Sequence, residues 1–212
     1  MLDIYKVEKI FKRFAINKPD PQIELIYSSP YTLLVAVILS AQATDKGVNK
    51  VTPGLFEIAD TPAKMLALGE ERLKEIVNSI GLYNTKSKNI IAMSKLLVEN
   101  HNGEVPDNLE DLENLPGVGR KSANIMLNCI WGHPTIAVDT HVLRVSNRLG
   151  LCTTTNPQKT EEALLQVIPD KWKRLAHYWL VLHGRYVCKA RKPECGRCII
   201  SDLCLYEDKV YS

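Results

Sequence analysis

Hydrophobic positions recur along this chain at helical spacing, and the breaks between them carry the chemistry that starts and stops helices. Val7, Ile10, Phe11 and Phe14 fall on one face of a first predicted helix. Ser29-Pro30, a cap followed by proline at the first helical position, opens an almost wholly apolar run to about Ser40. A helix apolar on every side is usually buried on every side. Thr44 caps a segment through Val48, Val51 and Leu55, and Thr61-Pro62 and Asn156-Pro157 repeat the cap-proline device. Glu71 to Ile80 is periodic and is predicted to close at Gly81 in the C′ position. Lys86 to Val98 predicts an amphipathic helix ended by the Asn102-Gly103 turn. Leu164, Leu165, Val167 and Ile168 form part of a further apolar face, and Trp172 to Val187 predicts one more helix. β-branched runs such as Pro134 to Val138 are too isolated to build a sheet, so the predicted fold class is all-α. Gly132-His133-Pro134 breaks the pattern and marks a candidate boundary between two lobes.

One break differs from the rest. The run Leu109, Leu112, Leu115 stops at Pro116, passes Gly117, Val118 and Gly119, and resumes as a helix holding Arg120 and Lys121. Proline cannot continue a hydrogen-bonded helix, and the two glycines admit backbone angles that a Cβ resists. The pattern predicts a tight hairpin whose N–H groups point outward at a helix start, a ready site for a phosphate. Lys121 beside it is either another phosphate contact or something more reactive. Downstream, Asp139 stands at or next to the cap of a helix through Leu143, Arg144, Val145 and Leu149. A capping carboxylate stays ionised, and facing a lysine it could stabilise positive charge developing on a substrate. His141 reads as a packing or hydrogen-bonding residue, and Arg144 as a partner for a carboxylate or a phosphate.

Cys188, Cys195, Cys198 and Cys204 fall in the spacing C-x6-C-x2-C-x5-C. Crowded thiolates suit zinc or an iron–sulfur cluster. Structural zinc sites usually pair two short knuckles, and only one is present; the uneven loops wrap more naturally around a bulky [4Fe–4S] cubane. Cys129 and Cys152 are isolated and read as core or half-buried residues. Arg185, Lys189, Arg191, Lys192 and Arg197 surround the cysteines and, beside a phosphate-binding hairpin, suggest a patch that contacts a nucleic-acid backbone.

Composition changes the picture little. Hydrophobic residues make up 45% and charged residues 24% of the 212 residues, and the formal net charge is only +3. That balance cannot by itself argue for nucleic acid; only clustering can. The first residues are charged and amphipathic with no signal-peptide core, and the longest apolar run, Leu33 to Leu39, cannot cross a bilayer. Six cysteines without a secretory signal favour ligation or buried thiols over disulfides. A soluble intracellular protein with no membrane partner is expected.

Taken together, the chain resembles the endonuclease III family of helix–hairpin–helix DNA glycosylases. The resemblance rests on Leu115 to Lys121, Val138-Asp139-Thr140-His141, Leu39 to Asp45, Gly81-Leu82-Tyr83 and the four-cysteine loop, and covers nearly the whole chain. It implies two helical lobes: a six-helix barrel with the hairpin over residues 23–133, and an iron–sulfur lobe over 1–22 plus 134–212, with DNA across the cleft. It implies that Lys121 is the nucleophile and Asp139 its acidic partner, that Cys188, Cys195, Cys198 and Cys204 bind a [4Fe–4S] cluster, and that Gln42 and Leu82 enter the duplex. Gly117, Val118, Gly119 and Arg120 would contact DNA through the hairpin, and Lys86 would add a phosphate contact. The implied enzyme is a base-excision-repair glycosylase and abasic-site lyase. It would remove oxidised pyrimidines from double-stranded DNA, as a monomer in the cytoplasm at the nucleoid.

An amine that attacks C1′ of the sugar gives a Schiff base, which permits strand cleavage; a water at that point removes the base alone. A free lysine with a pKa of about 10.4 is almost fully protonated at neutral pH. Burial, its own helix end and Arg120 are expected to lower that value, against an opposing pull from Asp139. Related enzymes that remove mismatched adenine have a longer chain and, like a mismatch thymine glycosylase, generally lack the lysine. An iron–sulfur DNA-binding or redox-sensing protein, with Lys121 only on phosphate, is the non-enzymatic alternative.

Overall fold

The structure, a computed structural model, describes residues 2–211, and among these every regular element is helical. In chain order the α-helices are α1 (Ile4–Asn17), α2 (Pro30–Ser40), α3 (Asp45–Ile58), α4 (Pro62–Leu68) and α5 (Glu70–Val77). There follow α6 (Tyr83–Asn100), α7 (Leu109–Asn114), α8 (Arg120–Trp131), α9 (Thr140–Leu149), α10 (Pro157–Val167) and α11 (Asp170–Tyr186). The chain forms two compact units, one spanning Glu24–Trp131 and the other made of the residues before and after that span.

In the Glu24–Trp131 unit, α2 is the centre. Tyr31 to Leu39 are all buried, and the helix packs against α3, α6 and α8. Its start is fixed by a reciprocal cap: the Thr32 amide donates to Ser29 Oγ at 3.1 Å, and the Ser29 amide to Thr32 Oγ1 at 2.8 Å. The caps read at Thr44, Thr61 and Asn156 are likewise formed, because each needs only its own next three residues. Among the described residues seven helical segments, α2 to α8, lie in this unit, because Gly69 adopts φ 79° and separates two short ones. The close of α5 differs from expectation. It ends at Val77, the Ile80 amide turns back to the Val77 carbonyl at 2.9 Å, and the left-handed residue is Leu82 at φ 60° rather than Gly81.

The other unit has its own core. Val7, Ile10, Phe11 and Phe14 of α1 are buried with Val142, Val145 and Leu149 of α9, Leu164 of α10 and Trp179 and Leu180 of α11. Phe14 stacks on Trp179 with ring centroids 6.4 Å apart, and Trp179 Nε1 donates to the Lys18 carbonyl at 2.9 Å. Each such buried side chain contributes roughly 1.5–3 kcal/mol over leaving it in water. Beyond α11 the chain runs through the cysteines with a single 3₁₀ turn, Cys195–Arg197.

Candidate nucleic-acid interface and cysteine centre

The hairpin joins α7 to α8. Leu115 ends α7 in extended backbone, and the Val118 amide closes the turn on the Leu115 carbonyl at 3.0 Å. Gly117 sits at φ 81°, where a Cβ would stand 3.0 Å from the Cβ of Asn89 on α6. Both sterics and backbone therefore require glycine there. Gly119 is different from expectation: its φ is not in the left-handed region, and a Cβ on it would meet nothing within 4 Å. Val118 is buried and its N–H is already spent on the turn, so the outward-facing part of the hairpin begins at Gly119.

Lys121 lies in the first turn of α8 and is exposed; the burial expected around it is not present. The buried face of α8 is taken by Ala123, Asn124, Met126 and Leu127, which leaves Lys121 on the other side. Lys86 also departs from expectation. It is 5% exposed, and its Nζ donates to the Leu39 carbonyl at 2.9 Å, so it is no surface lysine reaching for phosphate. Burial pulls its pKa below the ordinary lysine value.

Gln42 and Leu82 are both exposed residues on turns, and both adopt left-handed backbone, at φ 55° and 60°. A Cβ on Gly81 would stand 3.9 Å from the Gln42 carbonyl oxygen, so the two turns lie side by side. A leucine left 59% exposed in this conformation gains little from packing.

Asp139 is the cap of α9. One carboxylate oxygen accepts the amides of His141 and Val142, each at 2.8 Å. Arg144, one turn on, spends its guanidinium on the backbone: it donates to the carbonyls of Cys188 at 3.1 Å and Gly184 at 2.9 Å and touches His141 Nδ1 at 3.2 Å. Burial holds the His141 imidazole below its usual pKa, in keeping with a packing role.

The four clustered cysteines line one pocket, with Leu149, His183, Pro193 and Tyr206 among its other walls, and none is in a disulfide. Among the described residues no group of three or more His, Cys, Asp or Glu converges as ligands of a single ion do; the thiols ring the pocket instead. Burial pushes the Cys198 thiol up to about 11 and raises Cys204 as well. Coordination to a metal deprotonates such thiols outright, so a soft metal centre relieves what burial imposes. Arg148 Nη1 and the Tyr206 amide approach the Cys188 and Cys204 sulfurs at 3.5 Å each, the polar environment that thiolate sulfur uses. The donor set fits an iron–sulfur group.

Sequence reasoning missed what holds this loop in place. Arg148 donates to the carbonyls of Lys189 at 2.8 Å and Ala190 at 2.9 Å, and its guanidinium lies 4.3 Å over the Tyr206 ring. Glu194 pairs with both Lys189 and Arg197, which occupies two members of the expected basic patch; Arg191 and Lys192 are exposed. The C-x6-C loop contained Glu194 in plain view, the one signal that part of the patch is internally neutralised.

Comparison with known proteins decides what this set of features is. Residues 35–170 match the HhH-GPD superfamily of base excision DNA repair proteins, and residues 188–204 match the iron–sulfur binding domain of endonuclease III. The chain is 57% identical over 200 residues to endonuclease III of Rickettsia conorii, covering 94% of this chain and 95% of that one. It is 55% identical over 202 residues to endonuclease III of Escherichia coli K12, covering 95% and 96%. The chain belongs to the endonuclease III family.

Its fold agrees: a trapped covalent intermediate of endonuclease III with DNA superposes at TM-score 0.90, with 42% identity and 96% of each chain covered. A thermostable thymine-DNA glycosylase at 22% identity and TM-score 0.86 shares the fold. As a member of the endonuclease III family the protein is a base-excision-repair DNA glycosylase and abasic-site lyase with a [4Fe–4S] cofactor. Among the described residues no helix is long and apolar enough to cross a membrane.

Proposed function

We propose that this enzyme removes oxidised pyrimidines from duplex DNA and cleaves the resulting abasic site through a Schiff base on Lys121. The observation that carries the reading is the position of Lys121: an exposed amine in the first turn of α8, directly after the hairpin. The hairpin amides from Gly119 onward and the helix start bind the DNA phosphate, which brings the sugar to the lysine. Leu82 enters the opened base step and Gln42 fills the space left by the flipped nucleotide. The Lys121 nitrogen, having lost a proton, attacks C1′ as the bond from C1′ to the base breaks, and the base leaves with the electron pair and gains a proton. The Asp139 carboxylate stabilises the positive charge that develops on the sugar during this step. Opening of the sugar ring gives the C1′=N imine and a hydroxyl at O4′. Loss of a C2′ proton then expels the 3′ phosphate with its electron pair, and water releases Lys121 from the imine. Cys188, Cys195, Cys198 and Cys204 would hold the [4Fe–4S] cluster through their thiolates, and the cluster would supply a cross-link to that loop. Because Lys121 is exposed, exclusion of water around its amine is left to the bound DNA.

The damaged-duplex substrate, a monomeric enzyme and action at the nucleoid in the cytoplasm belong to the same proposal. The likeness to a trapped endonuclease III–DNA covalent intermediate supports the reading in kind, since that protein was caught covalently on DNA. Borohydride reduction on duplexes holding an abasic site or thymine glycol is the test. Wild type gives a stable covalent complex and Lys121→Ala gives none, while Lys121→Ala trapping at the wild-type rate would overturn the assignment.

A further inference from the structure

The two turns proposed to enter DNA share an unexplained cost. Gln42 and Leu82 are non-glycine residues in left-handed backbone, each a strain of roughly 1–2 kcal/mol. Such strain persists only where the surroundings fix the backbone. The C-terminal end of α2, which leads into the Gln42 turn, reveals how. Its last four carbonyls must each find a donor outside the helix pattern. Ser40 Oγ donates to the Val37 carbonyl at 2.8 Å, the Ala41 amide to Ile38 at 3.3 Å, and the Ala43 amide to Ser40 at 3.0 Å. The remaining one, Leu39, receives Lys86 Nζ from α6 at 2.9 Å. Three of the four donors are local; the fourth comes from forty-seven residues along the chain. The main chain of that same residue grips the other turn, since the Lys86 amide donates to the Leu82 carbonyl at 3.0 Å.

We propose that Lys86 is a positioning residue that couples the two DNA-entering turns, its side chain holding the Gln42 turn and its main chain the Leu82 turn. This rests on the reading that Gln42 and Leu82 enter the duplex. An ammonium at a helix C-terminus is favoured by the helix dipole, yet burial opposes its charge, and an apolar side chain would fill the site without that penalty. What an apolar side chain cannot do is cap Leu39. With the cap gone, the end of α2 loosens and Gln42 no longer keeps its spacing from Leu82, while Lys121 on α8 is untouched.

The test compares Lys86→Met with Gln42→Ala and Leu82→Ala on two DNAs: an abasic site in a full duplex, and the same site opposite a nucleotide gap, where no orphaned base needs support. Lys86→Met is expected to lose about tenfold in kcat/KM on the full duplex, the scale of a sub-ångström misplacement, and less than about twofold on the gapped one. Its effect should shrink in a Leu82→Ala background, and 2-aminopurine opposite the lesion should report less displacement. Equal losses on both DNAs, or no loss on either, would overturn the coupling. If Lys86→Met does not purify folded, Lys86→Leu, which also lacks a donor, carries the same comparison, and Lys86→Gln, which keeps one, is expected to lose less on the full duplex than either. Should Gln42→Ala and Leu82→Ala both leave the full duplex at wild-type rates, the underlying assignment of the two turns fails instead.

Discussion

The hairpin at the start of α8 and the cysteine loop after α11 present functional groups in opposite ways. The hairpin is built from backbone: proline stops α7, Gly117 turns the chain, and the Val118 amide closes the turn on Leu115. Between Cys188 and Cys204 the chain has only a 3₁₀ turn, and its path is held by side chains from other elements. Arg148 and Arg144 reach carbonyls at its start, and Arg13 of α1 reaches the Ile199 carbonyl at 2.8 Å and pairs with Asp202. A group on a helix end is positioned by local geometry before any ligand arrives. A group on such a loop depends on distant partners and on whatever cross-links its thiols.

The largest expected effect follows from that dependence. Cys198→Ala should abolish the visible iron–sulfur absorbance and reduce iron and acid-labile sulfide to background. Proteolysis should then cut within residues 188–204, while far-UV circular dichroism keeps most of its helical signal. A loop that stays resistant to protease after cluster loss would break the comparison, because its own side-chain contacts would then suffice.

Gly117 and Gly119 sharpen the other side. Gly117→Ala must accept φ 81° and a Cβ 3.0 Å from Asn89, so stability should fall by roughly 1–2 kcal/mol. Thermal unfolding would register this as a decrease of about 2–8 °C, with cluster absorbance unchanged. Gly119→Ala meets open space and no backbone strain, so its melting temperature should match wild type within about 1 °C. Its affinity for abasic duplex, read by fluorescence anisotropy, should nonetheless fall, because the added methyl group occupies room that the phosphate needs. Equal melting losses in the two variants would show that the hairpin is not divided in this way.

The same contrast explains what could be read from the sequence. Helix starts at Ser29, Thr44, Thr61, Asp139 and Asn156 were legible because a cap is decided by the next two or three residues. The cysteine set was legible from spacing alone. The left-handed backbone of Leu82 was not: a glycine one position earlier draws the C′ assignment, and only tertiary contacts can hold a leucine at φ 60°. Lys86 looked like a surface lysine because its partner, the Leu39 carbonyl, belongs to another helix. Burial of Lys121 was inferred from chemical need, whereas the helix turns its apolar face the other way.

Asp139 offers the finest division, because one side chain serves both as a cap and as the proposed partner of the reacting sugar. Its carboxylate accepts two amides at 2.8 Å, a structural duty that an asparagine carbonyl also performs. Asp139→Ala should cost about 1 kcal/mol of stability, the usual value of a lost cap, whereas Asp139→Asn should cost only a few tenths. Base release from a thymine-glycol duplex should drop in both variants, since neither supplies negative charge to the developing oxocarbenium-like sugar. A helix-end residue would then be separable into position and charge, which no cysteine of the loop can be. Asp139→Asn with wild-type base release would leave Asp139 as a cap and nothing more, and the charge opposite the sugar would have to come from another residue.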